Sequence, residues 1–179
     1  FDNYDLRVCV IPSISGESVV IRILNSQLDD LSLKGLGFSD DIIQKILISI
    51  NKPYGLILIT GATGSGKSTT LLSLTKMLST YNKKIISIED PVEIRVDGIN
   101  QIEIDENTSF ADSLRTVLRQ DPDIILVGEI RDLETAEIAM QSGQTGHYVL
   151  STIHTIDAIE VITRLRKMGI SNYDIESKI

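Results

Sequence analysis

One stretch of eight residues constrains the fold of this chain more than any other, Gly61-Ala62-Thr63-Gly64-Ser65-Gly66-Lys67-Ser68. It matches the pattern G-x-x-x-x-G-K-[ST], whose glycines let backbone N–H groups surround phosphate oxygens. Residues 56–59 form a short apolar run that predicts a strand ending at this loop. A helix is predicted after the loop from the spacing of Leu71, Leu74, Thr75 and Leu78. This order of strand, loop and helix predicts a P-loop, and the alternative is a glycine-rich turn without a ligand.

A P-loop assigns a chemical role to each of its positions. The predicted phosphate-binding residues are Gly61, Ala62, Thr63, Gly64, Ser65, Gly66, Lys67, Ser68 and Thr69. Lys67 would reach the outer phosphates, and the Ser68 hydroxyl would ligate Mg²⁺. The N-terminus of the following helix adds the positive end of its dipole to the site.

Composition excludes several classes of protein. The chain has 179 residues, of which 42% are hydrophobic and only 4% aromatic, so we expect one full domain with an aliphatic core. The net charge of -8 argues against a nucleic-acid surface, because phosphate backbones need clustered Lys and Arg. Cys9 is the single cysteine, which excludes a disulfide framework and favours a reducing compartment. No apolar stretch approaches the roughly 18 residues of a membrane-spanning helix, so membrane insertion is not expected.

The first residues predict a β-hairpin. Residues 6–11 and 18–24 are rich in Val and Ile, and turn-forming residues separate them. If Ile11 pairs with Ser18, Arg7 lies opposite Arg22. Like charges across a strand pair are destabilising, so the pair indicates a shared anion. The alternative is a different register with both arginines in solvent.

A linker and a helix are predicted before the P-loop strand. Residues 25–38 contain polar residues and two glycines, which are typical of a linker. Ser39 would cap a helix that ends near Pro53. Its apolar stripe consists of Ile42, Ile43, Ile46, Leu47 and Ile50. We therefore divide the chain into residues 1–28, the end of a preceding small α+β domain with the start of the linker, and residues 29–179, an α/β domain with a mostly parallel sheet.

Acidic residues follow two further predicted strands. Residues 85–88 run into Glu89-Asp90-Pro91-Val92-Glu93, and residues 123–127 run into Gly128-Glu129. Open α/β sheets bind ligands at the carboxyl ends of their strands. Glu89 would hold Mg²⁺ through water or position an attacking water; the alternative is a plain Asp-Pro turn. The second strand is typical of a Walker B element. Because the strand at 85–88 lies between it and the P-loop in the sequence, we expect the Walker B strand not to be adjacent to the P-loop strand. Glu129 is then the predicted general base, and the alternative is a surface carboxylate.

A helix carrying two arginines is predicted between these acids. Short strands are expected around 94–96 and 101–104, and Ser109 then caps the helix. Its inward residues would be Phe110, Leu114, Val117 and Leu118. Arg115 and Arg119 lie four residues apart on one face, which indicates either a bound anion or a solvated face balanced by Asp112.

The last third of the chain predicts helix, strand and helix. Residues 133–142 form the first helix with Gly143 as its cap, and residues 158–168 form the second, which ends at Gly169. The strand at 148–152 is flanked by His147 and His154. These histidines are either structural or, beside a nucleotide, sensors of phosphate or water.

Four blocks together resemble the secretion-superfamily ATPases, the motors of type II secretion and type IV pilus assembly. They are the P-loop at 61–68, an "Asp box" at 88–93, a Walker B block at 127–132 and a "His box" from Thr145 through Thr155. The resemblance extends from about residue 6 to residue 175. It implies a RecA-like ATPase core that works as a ring, usually a hexamer, with ATP at subunit boundaries.

The resemblance also implies roles for individual residues. Catalytic roles are implied for Glu129, Arg7, Arg22, Arg115, Arg119, Glu89 and His154, and some of the arginines act across the subunit boundary. Metal roles are implied for Ser68, Glu89 and Glu93, with ATP and Mg²⁺ as cofactors. Ala62 stands where the family usually has Pro, and Ser68 where it usually has Thr; both changes should be tolerated.

The implied function is ATP hydrolysis that powers protein export or pilus assembly. Residues 16–22 and 153–158 resemble the export or assembly branch more than the retraction motors. Implied partners are further copies of the chain and a membrane platform protein, and the implied place is the cytoplasm, peripheral to the inner membrane. The chain begins without Met and lacks the family's larger N-terminal region and four-cysteine zinc element, so we expect a piece of a longer protein. Alternatives are a nucleotide-binding scaffold, a retraction motor or a nucleic-acid translocase; a small-molecule kinase is disfavoured because no substrate pocket is recognisable.

Overall fold

Strands and helices alternate along most of the chain in a computed structural model that describes residues 4–25, 31–79, 82–105 and 107–178. The strands are β1 (Tyr4–Ser13), β2 (Gly16–Asn25), β3 (Gly55–Thr60), β4 (Ile85–Glu89), β5 (Asn100–Glu103), β6 (Ile124–Val127) and β7 (Tyr148–Ile153). The helices are α1 (Asp40–Ile50), α2 (Lys67–Ser79), α3 (Phe110–Leu118), α4 (Leu133–Ser142), α5 (Ala158–Met168) and α6 (Asn172–Lys178). None of the helices in these ranges is long and apolar enough to cross a membrane.

Five strands form one parallel sheet in the order β3-β7-β6-β4-β5. This confirms the α/β class. Because β7 lies between β3 and β6, the Walker B strand is not adjacent to the P-loop strand, as the sequence predicted. All five strands point the same way, so Glu89 at the end of β4 lies on the same side of the sheet as the P-loop, Glu129 and His154, which follow β3, β6 and β7.

Helices cover both faces of this sheet. On one face, α3, α4, α5 and α6 pack in a cluster that includes Leu114, Ala136 and Leu165. On the other face, α1 and α2 pack in a second cluster with Leu74 and Leu150. Strand side chains alternate between the two clusters, so both faces of each interior strand are buried. All four residues of β6 are accordingly aliphatic, whereas β4 and β7 also bury Ser87, Ser151 and Thr152.

The N-terminal hairpin has the predicted register. Ile11 pairs with Ser18, and Arg7 pairs with Arg22 across β1 and β2. The predicted boundary near residue 28 lies outside the described residues, because residues 26–30 are not among them. The division into two domains therefore stays a prediction.

The linker prediction is wrong for the part of 25–38 that the structure describes after residue 30. Leu31 and Leu33 are only 7% and 5% exposed, and Leu33 packs in the cluster with α1 and α2. The polar residues and glycines around these leucines form turns, which concealed their contribution to the core.

The structure differs from the sequence-based predictions in two other elements. No strand forms at 94–96, because side chains rather than a neighbouring strand bind this backbone; the Val96 N–H donates to Gln101 Oε1 at 2.8 Å. Beyond the helix at 158–168, the short helix α6 buries Ile175 against the core, a helix that the sequence analysis did not delimit. By contrast, the predicted cap of α3 is confirmed, since Ser109 Oγ accepts from the Asp112 N–H at 3.1 Å.

Candidate active site

The P-loop joins β3 to α2 in a conformation that requires glycine. Gly61 has a φ of 152°, and an added Cβ would lie 2.5 Å from Ser65 Oγ. Gly64 and Gly66 also have positive φ values, of 78° and 89°. The loop backbone thus reaches the N-terminus of α2, where unpaired N–H groups and the helix dipole favour an anion.

Lys67 is held inside the loop to which it belongs. The residue is only 8% exposed, and its Nζ donates to the carbonyl oxygens of Gly61 and Ala62, both at 2.9 Å. These bonds satisfy a buried ammonium group and keep its charge against the loop backbone. A phosphate group in the loop would therefore meet a positive charge already in place.

A cavity of about 490 Å³ brings most of the predicted site residues together. The predicted residues that line it are Arg22, Thr63, Gly64, Gly66, Lys67, Ser68, Thr69, Glu89, Glu93, Glu129 and His154. Gly61 and Ala62 line a neighbouring cavity of about 370 Å³, which shares Thr63 and His154 with the first. The chain thus places phosphate-binding groups and carboxylates around one space large enough for a small-molecule ligand.

The segment after β6 places Glu129 close to Glu89. An added Cβ at Gly128 would lie 3.1 Å from the Ile88 carbonyl oxygen, so glycine permits this close approach of the two strand ends. The Gly128 N–H donates to that same oxygen at 2.8 Å. On the other side, Thr152 Oγ1 donates to the Gly128 carbonyl oxygen at 2.6 Å. These bonds fix the backbone that carries Glu129.

Both carboxylate oxygens of Glu129 are engaged. Oε1 accepts a hydrogen bond from Arg131 Nη2, and Oε2 lies 3.3 Å from His154 Nε2. Arg131 also contacts Asp90, with Nη1 and Oδ2 3.3 Å apart. Burial alone would raise the pKa of Glu129, but the hydrogen bond and charge of Arg131, with smaller contributions from His154 and Lys67, hold that pKa below the ordinary value of a glutamate. The carboxylate is therefore ionised and able to accept a proton.

The lowered pKa of Glu129 makes the stability of the fold depend on pH. Because the pKa of Glu129 is lower in the folded protein than in the unfolded chain, its ionised form stabilises the fold above its unfolded pKa. That contribution is lost as the pH falls through the folded pKa.

The sequence analysis did not single out Arg131 as a partner of Glu129. The available signal was their spacing, because side chains two residues apart lie on the same side of an extended chain.

Magnesium fits the acidic side of the cavity. Among the described residues, no group of three or more His, Cys, Asp and Glu side chains is arranged to hold a metal ion. Protein-bound Mg²⁺ usually takes only one or two carboxylates and completes its shell with water and phosphate oxygens. Ser68, Glu89 and Glu93 line the cavity together and can supply such a partial shell. Their role as metal ligands stays a prediction.

The two histidines lie at opposite ends of β7. His154 follows β7 and lines the cavity, whereas His147 precedes β7 and accepts from the Gly55 N–H through its carbonyl oxygen. A strand of this length spans about 20 Å, so the idea that both histidines sense the nucleotide is wrong for His147. Its Nδ1 is buried without a hydrogen-bond partner among the described residues.

The four predicted arginines have different surroundings. Arg22 lines the cavity, with Arg7 opposite it on β1. Arg115 forms ion pairs with Asp112, at 3.3 Å, and with Glu134 on α4, and Arg119 is the exposed C-cap of α3. Within one chain, Arg115 is therefore exposed and paired with acidic side chains. This is the alternative that the sequence analysis set against a bound anion. The catalytic roles of all four stay predictions.

Comparisons with known proteins show which family the chain resembles. Residues 1–179 match the family model described as "Type II/IV secretion system protein". The chain is 49% identical over 177 residues to "Type II secretion system protein E" of Xanthomonas campestris pv. campestris, covering 98% of this chain and 31% of that protein. It is 46% identical to "Type IV pilus assembly ATPase PilB" of Acinetobacter baylyi, with the same two coverages. The chain therefore spans about a third of the length of these relatives.

A solved structure also resembles the chain closely. The crystal structure of the pilus retraction motor PilT with bound ADP superposes with a TM-score of 0.81 and 41% identity, over 96% of this chain and 50% of that one. The fold is thus the α/β core of a known nucleotide-binding protein. Since the family model covers the whole chain, the chain belongs to the type II/IV secretion system protein family.

Proposed function

We propose that this chain is the ATP-hydrolysing core of a motor that drives protein export or the assembly of pili or pseudopili. The observation that carries the proposal is the single cavity in which the P-loop, Lys67 and the ionised carboxylate of Glu129 meet. The names of its relatives, type II secretion system protein E and type IV pilus assembly ATPase, support the choice of process. The resemblance of residues 16–22 and 153–158 to that branch favours assembly over retraction.

The chemistry follows from the residues around the cavity. Backbone amides of the P-loop and Lys67 bind the phosphates of ATP, and Glu129 accepts a proton from a water that attacks the γ-phosphorus. The bond between that phosphorus and the β–γ bridging oxygen breaks, and ADP and phosphate leave. Ser68, Glu89 and Glu93 would hold Mg²⁺, which neutralises phosphate charge when it is bound.

Arginines complete the site in the proposed assembly. The chain works as a ring, a hexamer in the full-length protein, with ATP at the subunit boundaries. Arg7, Arg22, Arg115 and Arg119 stabilise the negative charge of the transition state, some of them from the neighbouring subunit. His154 contacts the base Glu129 and follows β7, so it can couple the state of the nucleotide to movement of the sheet.

The place and partners of the motor are part of the same proposal. It works in the cytoplasm, peripheral to the inner membrane, and acts on pilin-like subunits through a membrane platform protein. The net charge of -8 supports an assembly without nucleic acid. Steady-state phosphate release from the assembled protein would distinguish this motor from a nucleotide-binding scaffold.

Lys67→Ala tests the phosphate site directly. We expect ATP affinity to fall roughly ten- to a hundred-fold, because a charge-assisted hydrogen bond of about 1.5–3 kcal/mol is lost, and hydrolysis to fall with it. Fluorescent-nucleotide titration and phosphate release measure the two effects. Lys45→Ala on the exposed surface of α1 is the control. Full ATP affinity in Lys67→Ala would contradict the proposal.

Mixed assemblies test whether Arg7 acts across the subunit boundary. We expect Arg7→Ala and Lys67→Ala proteins each to be inactive and their mixture to recover part of the ATPase activity. Recovery occurs because an intact Lys67 on one subunit can meet an intact Arg7 on the next. Phosphate release from the mixture, compared with each variant alone, is the measurement. A mixture as inactive as its parts would place Arg7 in its own subunit's site, whereas full activity of Arg7→Ala alone would place it outside the reaction.

A further inference from the structure

We propose that Gln101 is the residue that positions Glu89 and the acidic loop at 90–96 in the active site. The inference rests on the proposed function, because it concerns a carboxylate that is assigned there to Mg²⁺. Gln101 lies on β5, at the outer edge of the sheet, and is not one of the residues that line the cavity. It therefore acts through its neighbours as a positioning residue.

The strand register brings the relevant side chains together. In the parallel pair β4–β5, Ser87 is the partner of Gln101, and Glu89 is the partner of Glu103. Gln101 Nε2 donates to Glu89 Oε1 at 2.9 Å, and Ser87 Oγ donates to the same oxygen at 2.7 Å. Two donors thus converge on one oxygen of a carboxylate at the end of β4.

The second carboxylate oxygen of Glu89 has different surroundings. Oε2 has no hydrogen-bond partner among the described residues, and Glu89 lines the cavity beside the P-loop. With Oε1 held by Ser87 and Gln101, the orientation of the carboxylate is restricted while one oxygen remains able to bind water or a cation. This is the arrangement that an outer ligand of a phosphate-bound metal needs.

The same glutamine also fixes the loop that follows Glu89. Its Nε2 donates to the Ile94 carbonyl oxygen at 2.9 Å, and its Oε1 accepts from the Val96 N–H at 2.8 Å. A third anchor comes from Glu103, whose Oε2 accepts from the Val92 N–H at 2.9 Å. The loop is therefore bound to β5 by side chains at both ends, and Glu93, which lines the cavity, lies between those anchors.

Only an amide side chain can make this set of bonds. A carboxylate at position 101 could still accept from the Val96 N–H, but it would repel Glu89 and could not donate to it. An apolar side chain of the same length would leave both Glu89 and the loop backbone without these partners. The two substitutions therefore separate anchoring of the loop from placement of the Glu89 carboxylate.

The test uses Gln101→Met and Gln101→Glu in the full-length protein. Gln144→Met is the matched control, because among the described residues the Gln144 side chain makes one hydrogen bond, to the Ser177 carbonyl oxygen, and Gln144 lies between α4 and β7 and does not line the cavity. Hydrogen exchange of the Val96 amide reports on the loop. The Mg²⁺ concentration that half-saturates binding of a fluorescent ATP analogue reports on Glu89. Thermal unfolding shows that each variant is folded.

We expect Gln101→Met to speed Val96 exchange and to raise the half-saturating Mg²⁺ concentration, each roughly tenfold, as the loss of a hydrogen bond implies. Gln101→Glu should leave Val96 protected while still raising the Mg²⁺ requirement, and Gln144→Met should match the wild type. In a Glu89→Gln background, Gln101→Met should cause no further change in the Mg²⁺ requirement.

Two results would overturn the inference. Unchanged Val96 exchange in Gln101→Met would show that the glutamine does not anchor the loop. An unchanged Mg²⁺ requirement in both Gln101 variants would show that it does not place Glu89. Neither readout depends on turnover, so a wild-type protein that binds Mg²⁺ and nucleotide but releases no phosphate would refute the proposed hydrolysis without deciding the role of Gln101.

Discussion

Replacing Glu129 by glutamine is expected to lower kcat for ATP hydrolysis about 10²- to 10⁴-fold, the usual contribution of a general base. Glutamine has nearly the same shape, but its amide cannot accept the proton of the attacking water at neutral pH. Binding should change little, because Lys67 and the P-loop backbone remain intact. Single-turnover phosphate release and nucleotide titration separate the two effects.

The control for this experiment is Glu137→Gln, a change of the same kind on the exposed surface of α4. It should hydrolyse ATP at the wild-type rate. If Glu129→Gln also did so, Glu129 would not be the base. The carboxylates that remain in the cavity, Glu89 and Glu93, would then be the residues to test.

Leu150→Ala is expected to lower the free energy of unfolding by about 2–5 kcal/mol. Leu150 is completely buried on β7, where its strand partners are Ile57 on β3 and Leu126 on β6. Shortening a side chain enclosed by a sheet and a helix layer leaves a cavity that neighbouring strands cannot close, because their backbone bonds fix their positions. Urea denaturation, with the m-value checked for constancy, gives the change.

Ile48→Ala is the matched change at the surface. Ile48 lies on α1 and is 69% exposed, so its removal should alter the free energy of unfolding by no more than about 0.5 kcal/mol. If Leu150→Ala cost as little as Ile48→Ala, the burial of Leu150 on β7 between β3 and β6 would be wrong.

Local patterns in the sequence were sufficient for most of the secondary structure. The glycines at 61, 64 and 66 and the residues after them predicted the P-loop and α2, and the structure confirms both. The pattern failed where side chains satisfy the backbone, as at 94–96, and where turns enclose isolated leucines, as at Leu31 and Leu33. Neither case has a periodic signal, so sequence periodicity has nothing to detect there.

The sequence was sufficient to predict most of the helices and strands, their order and the chemical types of the site residues, because these depend on neighbours along the chain. Which residues meet depends on the tertiary structure. The parallel strand order brings Glu89, Glu129 and His154 to the P-loop and leaves His147 at the other end of β7. It also pairs Glu89 with Gln101. Hydrogen bonds and charges act over a few ångströms of space, and that proximity arises only when the strands align side by side.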